Sequence, residues 1–334
     1  LQGVVLMTTD IHNSNLYQNY TEEMIFIGAT DKNFYTGKIK QLHDDRKLLR
    51  SMAERGQSHA KLLYSYQAQQ KKALDFLFQH LKNNSIDNKS SIYNAQKLEK
   101  VKPIKNKPLP LKLTVAIPAY KPTFFEAALQ SAISQDFENF EILICDDCRS
   151  DEIQKIVASY TNNKNLPKIR YIHNEEKLGE INNCIKCLEL AEGEYFKFLF
   201  DDDILLPGSL AAQVKILDEF PGVSLVSSRR KVIDENGLVL PDIAASLRPF
   251  KGNYFINGPD LVSFLADYTL NFIGEPPCVM FRREQLLPEK EGLASLDGIV
   301  MYWIADLTVH VKLLRLGYLA MLEEPGACFR ISTE

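Results

Sequence analysis

The chain of 334 residues is long enough for one large domain or two smaller ones. Hydrophobic residues make up 45% and charged residues 25% of it, which is typical of an ordinary soluble globular protein. The formal net charge of −4 argues against bulk nucleic-acid binding. No stretch approaches the roughly 18 to 20 consecutive apolar residues that a membrane-spanning helix needs.

The N-terminal part, residues 1–95, shows apolar patches followed by helical periodicity. The first residues, Leu1–Gly3, lack an initiator Met and the basic-then-apolar pattern of a signal peptide, so we expect the chain to begin inside a longer protein. The pattern predicts a mainly helical segment without its own chemistry, the remnant of a preceding domain.

A linker is predicted at residues 96–112, which are rich in Lys and Pro and show no periodicity. Pro103, Pro108 and Pro110 prevent a helix there. The linker would separate the N-terminal segment from a second domain at residues 113–334.

Strands and helices alternate in the second domain. The predicted strands are Leu113–Ile117, Phe140–Cys145, Ile169–Ile172 and Tyr195–Phe200. The predicted helices are 123–135, 150–161, 179–191 and 208–219. This alternation indicates a mostly parallel sheet covered by helices on both faces, in which ligands bind beyond the carboxyl ends of the strands.

Polar residues follow three of these strands, at Pro118–Tyr120, at Asp146 and Asp147, and at Asp201–Asp203. Three adjacent carboxylates repel one another and lose hydration at a strand end, and a divalent cation would remove that cost. Oxygen ligands favour Mg²⁺ or Mn²⁺. A solvated acidic turn is the alternative, but three polar strand ends that meet in one crevice predict a site.

Two cysteine pairs have CxxC spacing, Cys145 with Cys148 and Cys184 with Cys187. Four thiols could bind zinc, but far more residues separate the pairs than the roughly 15 to 20 of a zinc ribbon. Reduced cytosolic thiols are therefore the expectation.

Four motifs in order resemble a known family: Leu113–Tyr120, Glu141–Asp151, Ala191–Asp203 and Leu206–Ser209. Together they are similar to a family 2 inverting glycosyltransferase, over residues 113–331. The resemblance implies an α/β protein with the GT-A nucleotide-diphospho-sugar transferase fold, preceded here by the helical N-terminal segment. Residues 1–80 resemble the C-terminal tail of a glycosyltransferase of the GT-B type.

The resemblance implies a donor site for a nucleotide diphosphate-sugar, a UDP- or TDP-sugar. Its residues would be Pro118, Ala119, Tyr120, Asp146, Asp147, Lys177, Gly179 and Asp201. Among these, Asp147 matches the position that hydrogen-bonds the pyrimidine ring, although Asp146 and Asp147 could instead cap the turn before the next helix.

The resemblance also implies a cofactor, Mn²⁺ or Mg²⁺, with Asp202 and Asp203 as its ligands. The spacing equally permits Asp201 with Asp203, and this choice stays open.

On the acceptor side, Gly274–Arg283 resembles a strand of the family, and Asp306 matches its catalytic Asp. Asp306 would take the proton of the acceptor hydroxyl in a single displacement with inversion, with Glu275 as the second candidate base. A carboxylate that complements the helix dipole is the alternative for Asp306. Trp303 could stack on an acceptor sugar or belong to the core, and Ser332 replaces a His common in the family.

The implied function is a metal-dependent transfer to a glycan, lipid-linked or protein-linked acceptor in bacterial-type surface polysaccharide or glycoprotein assembly. The expected location is the cytoplasm, compatible with peripheral association at the inner face of the membrane. A nucleotidylyltransferase is an alternative, although residues 118–122 lack the Gly-rich basic loop of that class. A non-catalytic module that binds nucleotide or glycan is the other.

Overall fold

A computed structural model of the chain describes residues 6–9, 24–27, 44–45, 47, 50–51, 92–94, 111–160, 165–242, 252–268, 271–287 and 292–331. The chain forms two compact units, Leu1–Ala73 and Leu74–Glu334. The predicted linker falls almost entirely outside the described residues, as does most of the predicted helical pattern of residues 1–95. No helix in the described ranges is both long and apolar enough to cross a bilayer.

Within residues 1–95 the structure describes three short strands and, between them, the helical residues 44, 47, 50 and 51. In the first unit, β1 (Leu6–Thr9) and β2 (Met24–Ile27) pair in parallel. In the second unit, β3 (Ile92–Asn94) pairs with a strand of the main sheet.

The second unit continues with strands and helices that alternate as predicted up to residue 219. The further strands are β4 (Leu113–Ala119), β5 (Phe140–Asp146), β6 (Lys168–His173), β7 (Tyr195–Phe198), β8 (Ile204–Leu205), β9 (Val223–Ile233), β10 (Val239–Leu240), β11 (Tyr254–Asn257), β12 (Val279–Arg282), β13 (Ser295–Leu296), β14 (Ile299–Val300) and β15 (Tyr318–Arg330). The helices are α1 (Pro122–Ile133), α2 (Glu152–Tyr160), α3 (Glu180–Leu190), α4 (Ser209–Glu219), α5 (Gly258–Tyr268) and α6 (Ala305–Leu314).

The main sheet has the strand order β3-β11-β15-β9-β12-β7-β4-β5-β6, with β8 beside β15 and β10 beside β9. The four strands β7, β4, β5 and β6 run parallel to one another. Strand β12 runs antiparallel between β7 and β9, and β15 returns parallel to β9. The predicted α/β fold of the GT-A type, with a parallel centre, is confirmed.

The sheet separates two hydrophobic clusters, and β4 contributes to both. Val115 and Ile117 belong to the cluster that includes α1, α2 and α4, whereas Ala116 belongs to the cluster that includes α3, α5 and α6. Successive side chains of a strand point to opposite faces, so an unbroken apolar run buries both faces. This is why β4 and β5 are mostly apolar in sequence.

The turn before β7 is held against the start of β4 by a buried polar cluster. The backbone amide of Gly193 donates to Thr114 Oγ1 at 2.9 Å, and the Thr114 hydroxyl donates to Glu141 Oε1 at 2.8 Å. Arg170 Nη1 neutralises the fully buried Glu141 carboxylate at 3.0 Å. A Cβ on Gly193 would lie 2.4 Å from the Thr114 backbone nitrogen. The Gly of the third motif is therefore a close-approach residue that aligns β7.

We predict that Gly193→Ala destabilises the protein by on the order of 3 kcal/mol, because the added methyl group meets backbone that cannot move aside. Chemical denaturation monitored by circular dichroism measures the change. Gly222→Ala is the matched control, because its Cβ would meet nothing closer than a Tyr318 ring carbon at 3.8 Å. Equal stability of the two variants would contradict the packing argument.

Candidate functional site

A pocket of about 390 Å³ lies at the carboxyl ends of the central parallel strands. It is lined by Pro118, Tyr120, Lys121, Asp147, Lys177, Gly179, Glu180, Asn183, Phe200, Asp201 and Asp202. Six of the eight predicted donor residues are among them. The other two, Ala119 and Asp146, are fully buried and do not line the pocket.

Asp201 joins the end of β7 to the end of β4. Its Oδ2 accepts hydrogen bonds from the backbone amides of Tyr120 at 2.6 Å and Lys121 at 2.7 Å. Burial raises the pKa of the Asp201 carboxyl, the two amides act in the opposite direction, and neighbouring Asp202 adds to the increase. The loop after β4, which includes Tyr120, is thus fixed in position by a carboxylate of the acidic triplet.

Asp147 is held in the same way by the turn that starts α3. Its Oδ1 accepts from the amide of Leu178 at 2.8 Å, and its Oδ2 accepts from the amide of Gly179 at 2.8 Å. Gly179 has φ +77°, a conformation that other residues rarely adopt. Burial acts to raise the pKa of Asp147, but the hydrogen bonds from Leu178, Asn174 and Gly179 together lower it below its usual value.

An aromatic side chain and a cation meet at the rim of the pocket. Lys177 Nζ donates to the Tyr120 hydroxyl at 2.9 Å and lies 4.3 Å from the centre of the ring. Tyr120 is 46% exposed, so its ring is partly accessible to a ligand.

Asp146 fastens the end of β5. Its Oδ1 accepts from the Cys148 amide at 2.8 Å, and its Oδ2 accepts from the Tyr171 hydroxyl at 2.6 Å. These contacts correspond to the capped-turn alternative for Asp146. Its predicted role in binding the nucleotide diphosphate-sugar remains a prediction.

The three carboxylates of the acidic triplet point in three directions. Asp201 accepts from the Tyr120 amide after β4, and Asp202 lines the pocket. Asp203 turns away from the pocket, and its Oδ1 accepts from the Arg330 amide of β15 at 3.0 Å. Arg330 Nε in turn donates to the backbone carbonyl of Asp202 at 2.8 Å. The divergence reduces the repulsion between adjacent carboxylates.

The acidic residues that line the pocket suit a hard divalent cation. Burial raises the pKa of both Asp201 and Asp202, and a cation would stabilise their ionised forms. The Oδ2 atom of Asp203 is buried without a hydrogen-bond partner among the described residues. Those same residues contain no group of three or more His, Cys, Asp or Glu side chains arranged as a metal site.

All six cysteines are free thiols and buried. Cys145, Cys184 and Cys187 belong to the hydrophobic cluster behind the pocket. The thiols therefore pack in the core, in keeping with the default stated for them.

A second pocket of about 240 Å³ adjoins the first, and Glu180 and Phe200 line both. Its remaining lining is Ile181, Cys184, Phe198, Glu275, Pro276, Val279, Phe281, Leu293, Tyr302, Ala305, Asp306, Val309, His310 and Phe329. Asp306 and Glu275 therefore line the same pocket, and their assignment to an acceptor side remains a prediction. The Trp303 side chain and Ser332 lie outside the described part of the chain.

Asp306 lies in the first turn of α6, where its carboxylate is fixed by two donors. Asn271 Nδ2 donates to its Oδ2 at 2.7 Å, and the Leu307 amide donates to its Oδ1 at 2.7 Å. The second bond satisfies a helix N-terminal amide, so the helix-end interpretation describes part of its role.

Glu275 is paired with a buried cation. Its Oε2 lies 2.7 Å from Nε of Arg230, which is only 3% exposed. Burial raises the pKa of Glu275, Arg230 opposes this, and Asp306 adds to it. The ion pair with Arg230 distinguishes Glu275 from Asp306.

His310, one helical turn after Asp306, also lines the second pocket. Its Nδ1 is buried and has no hydrogen-bond partner among the described residues. Burial lowers the pKa of His310 to about 4, against the opposite effect of Asp306. The imidazole is therefore neutral at neutral pH.

The protein is an α/β protein with a pocket at the carboxyl edge of its parallel strands, where folds of this kind bind their ligands. The family follows from the sequence: the model of glycosyl transferase family 2 matches residues 114–286, and this chain belongs to that family.

Three comparisons show how far the similarity extends. An uncharacterized protein of Mycobacterium tuberculosis is 33% identical over 206 residues, 60% of this chain and 61% of the relative. The GalNAc(5)-diNAcBac-PP-undecaprenol beta-1,3-glucosyltransferase of Campylobacter jejuni is 34% identical over 110 residues, 32% of this chain and 35% of the relative. The structure of S. aureus TarS 1–349 has a TM-score of 0.48 at 19% identity, covering 66% of this chain and 60% of TarS 1–349. This chain thus spans less than two thirds of each of the three.

We predict that the wild-type protein loses stability as the pH falls from 6.5 towards 4, by on the order of 3 kcal/mol through His310. In this window the unfolded chain binds a proton on this imidazole and the folded chain, with its pKa near 4, does not. Denaturant unfolding at each pH should show a smaller dependence in His310→Gln.

His173→Gln is the control, because the His173 side chain is 48% exposed. An identical pH dependence in wild type and His310→Gln would contradict the lowered pKa of His310 in the folded state.

Proposed function

We propose that this chain is the catalytic domain of a glycosyltransferase that moves a sugar from a nucleotide diphosphate-sugar to an acceptor hydroxyl, with inversion. The observation that supports it most strongly is the pair of adjoining pockets. One carries the strand-end carboxylates, the other carries Asp306, and both include Glu180 and Phe200. A donor in the first pocket and an acceptor in the second would come together where the pockets adjoin, beside Glu180 and Phe200.

The first pocket is the proposed donor site. Asp147 offers a carboxylate to a ring N–H of the base, and Tyr120 offers an aromatic face. Lys121 and Lys177 also line this pocket and supply positive charge for a diphosphate. A UDP- or TDP-sugar is the donor that this arrangement best accommodates.

A divalent cation, Mn²⁺ or Mg²⁺, is part of the proposal. Asp202 would hold it, together with Asp201 or Asp203. Such a cation supplies neutralisation of the charge that develops on the departing diphosphate. Arg330 supports this end of the site, because it fixes the Asp202 backbone and the Asp203 carboxylate.

Asp306 is the proposed general base. Asn271 and the Leu307 amide orient its carboxylate at the second pocket, and it would accept the proton of the attacking hydroxyl. Glu275 is less suited to this task, because its Oε2 is buried and lies 2.7 Å from Nε of Arg230, which leaves that oxygen less available to an acceptor hydroxyl.

The proposed acceptor is a glycan, free or linked to lipid or protein, in bacterial-type surface polysaccharide or glycoprotein assembly. The name of the Campylobacter jejuni relative, a glucosyltransferase with an undecaprenol-linked substrate, supports this class. A cytoplasmic location at or near the membrane surface belongs to the same proposal.

Two other functions agree less well with the sequence and the structure. A nucleotidylyltransferase is disfavoured because Pro118–Pro122 provides no Gly-rich basic loop for a triphosphate. A binding module without catalysis has no need of a carboxylate oriented by two donors, as Asp306 is.

We predict that Asp306→Asn lowers the rate of sugar transfer by about 10² to 10⁴, because the amide cannot accept the proton. The affinity for the nucleotide should stay unchanged. Asp297→Asn is the control, since this exposed carboxylate pairs with Arg315 and lines neither pocket. Full activity of Asp306→Asn would revive the binding-module alternative.

We also predict that UDP or TDP raises the midpoint of thermal unfolding, and that Mn²⁺ increases this shift. A ligand at about 100 times its Kd stabilises by about 2.7 kcal/mol. GDP and CDP, each with and without Mn²⁺, complete the comparison. Asp202→Asn should lose the metal-dependent increment, whereas Asp136→Asn, an exposed site, should keep it. Absence of any shift with all four nucleotides would contradict the proposed donor site.

A further inference from the structure

Behind the first pocket, four polar side chains form a continuous hydrogen-bonded relay: Lys186, Asn174, Asp147 and Asn183. Lys186 Nζ donates to Asn174 Oδ1 at 2.7 Å. Asn174 Nδ2 donates to Asp147 Oδ1 and to Asn183 Oδ1, each at 3.0 Å. Asn183 Nδ2 ends the relay on the Cys145 carbonyl at 2.9 Å.

Lys186 and the Asp147 carboxylate together fix the direction of the bonds in this relay. An ammonium group only donates, so the oxygen of the Asn174 amide must face Lys186. The nitrogen of Asn174 must then face Asp147 and the oxygen of Asn183. The Asn183 nitrogen is left to donate to Cys145. A flip of either amide, which is ordinarily a free choice, would oppose donor to donor and acceptor to acceptor.

The relay leaves Asp147 with a defined capacity for a ligand. A carboxylate offers about four lone-pair sites. On Oδ1, the Leu178 amide and Asn174 Nδ2 occupy two; on Oδ2, the Gly179 amide occupies one. One acceptor site on Oδ2 remains uncommitted among the described residues, on a side chain that lines the pocket.

Burial makes this arrangement rigid. Asp147, Asn174 and Asn183 are 4%, 5% and 2% exposed, so water does not compete for their hydrogen bonds. The same bonds hold the pKa of Asp147 below its usual range despite burial, which keeps the carboxylate ionised and unable to donate.

We propose that Lys186 and Asn174 are positioning residues that fix Asp147 as an acceptor-only group, and that the relay selects a base with an imide N–H, such as uracil, over cytosine. The inference rests on the donor site proposed above. The N3 atom of uracil carries a hydrogen for Asp147, whereas N3 of cytosine presents a lone pair. Two acceptors then face each other in a buried site, which is the kind of mismatch that gives strong discrimination.

Loss of the relay should act on this discrimination more than on affinity in general. Without Lys186, Asn174 Oδ1 loses its donor and the Asn174 side chain can move away from Asp147. The Asp147 carboxylate then loses one of its three donors and its remaining acceptor site is held less firmly, so a base with an imide N–H loses part of its advantage over cytosine. Contacts to the diphosphate, which UDP and CDP share, are unaffected.

Calorimetric titration of UDP and CDP, at one fixed Mn²⁺ concentration, tests the proposal without knowledge of the acceptor. Wild type should bind UDP more tightly than CDP. Lys186→Met and Asn174→Ala should reduce the ratio of the two Kd values at least tenfold, mainly through weaker UDP binding. Lys186→Arg keeps a donor-only cation and should restore most of the ratio.

Lys155→Met is the matched control, because Lys155 is a 71% exposed helix lysine that pairs with Asp151. Asn174 is buried, so the Asn174→Ala variant can fail to fold. Lys186 is partly exposed, so the Lys186→Met variant still tests the proposal in that case. Wild type that binds neither nucleotide would overturn the donor site and the inference with it. A wild-type preference for UDP that both relay variants keep would overturn the relay alone.

Discussion

Hydrogen bonds from backbone amides to strand-end carboxylates are the interaction on which the whole site depends. Asp201 accepts from the loop after β4, Asp147 accepts from the turn that begins α3, and Asp203 accepts from β15. Each bond ties the carboxyl end of a strand to a segment far away in sequence. Charge-assisted bonds of this kind are stronger than neutral ones, so one set of contacts both orders the loops and orients the acids.

Three acids that line the two pockets carry an energetic cost that is typical of functional sites. Burial raises the pKa of Asp201, Asp202 and Glu275, so each ionised carboxylate is less stable here than in water. A site selected for stability alone would replace them with apolar residues of similar size. The carboxylates instead line two adjoining pockets. Their negative charge would hold a cation that binds a diphosphate, and would accept a proton from a hydroxyl.

The sequence was sufficient for the parallel half of the fold, because long apolar runs such as β4 and β5 end in polar residues at the ligand edge. It also brought Tyr120, Asp147 and Asp202 to one pocket through the motif order. It could not show that Asp146 and Asp203 turn away from that pocket, since alternation along a strand does not fix side-chain partners beyond its end. The sequence did not identify His310 and Asn174 as site residues. His310 is a single polar residue in an apolar helix and Asn174 is one of several polar residues in a loop, so neither gives a periodic signal.

Hydrogen–deuterium exchange with and without UDP and Mn²⁺ tests most directly whether the strand-end carboxylates form a nucleotide site. The account predicts slower exchange in peptides that cover residues 118–121 and 177–183, because a bound nucleotide would suppress opening of the two segments held by Asp201 and Asp147. Unchanged exchange in both segments, with protection elsewhere in the chain, would contradict the account.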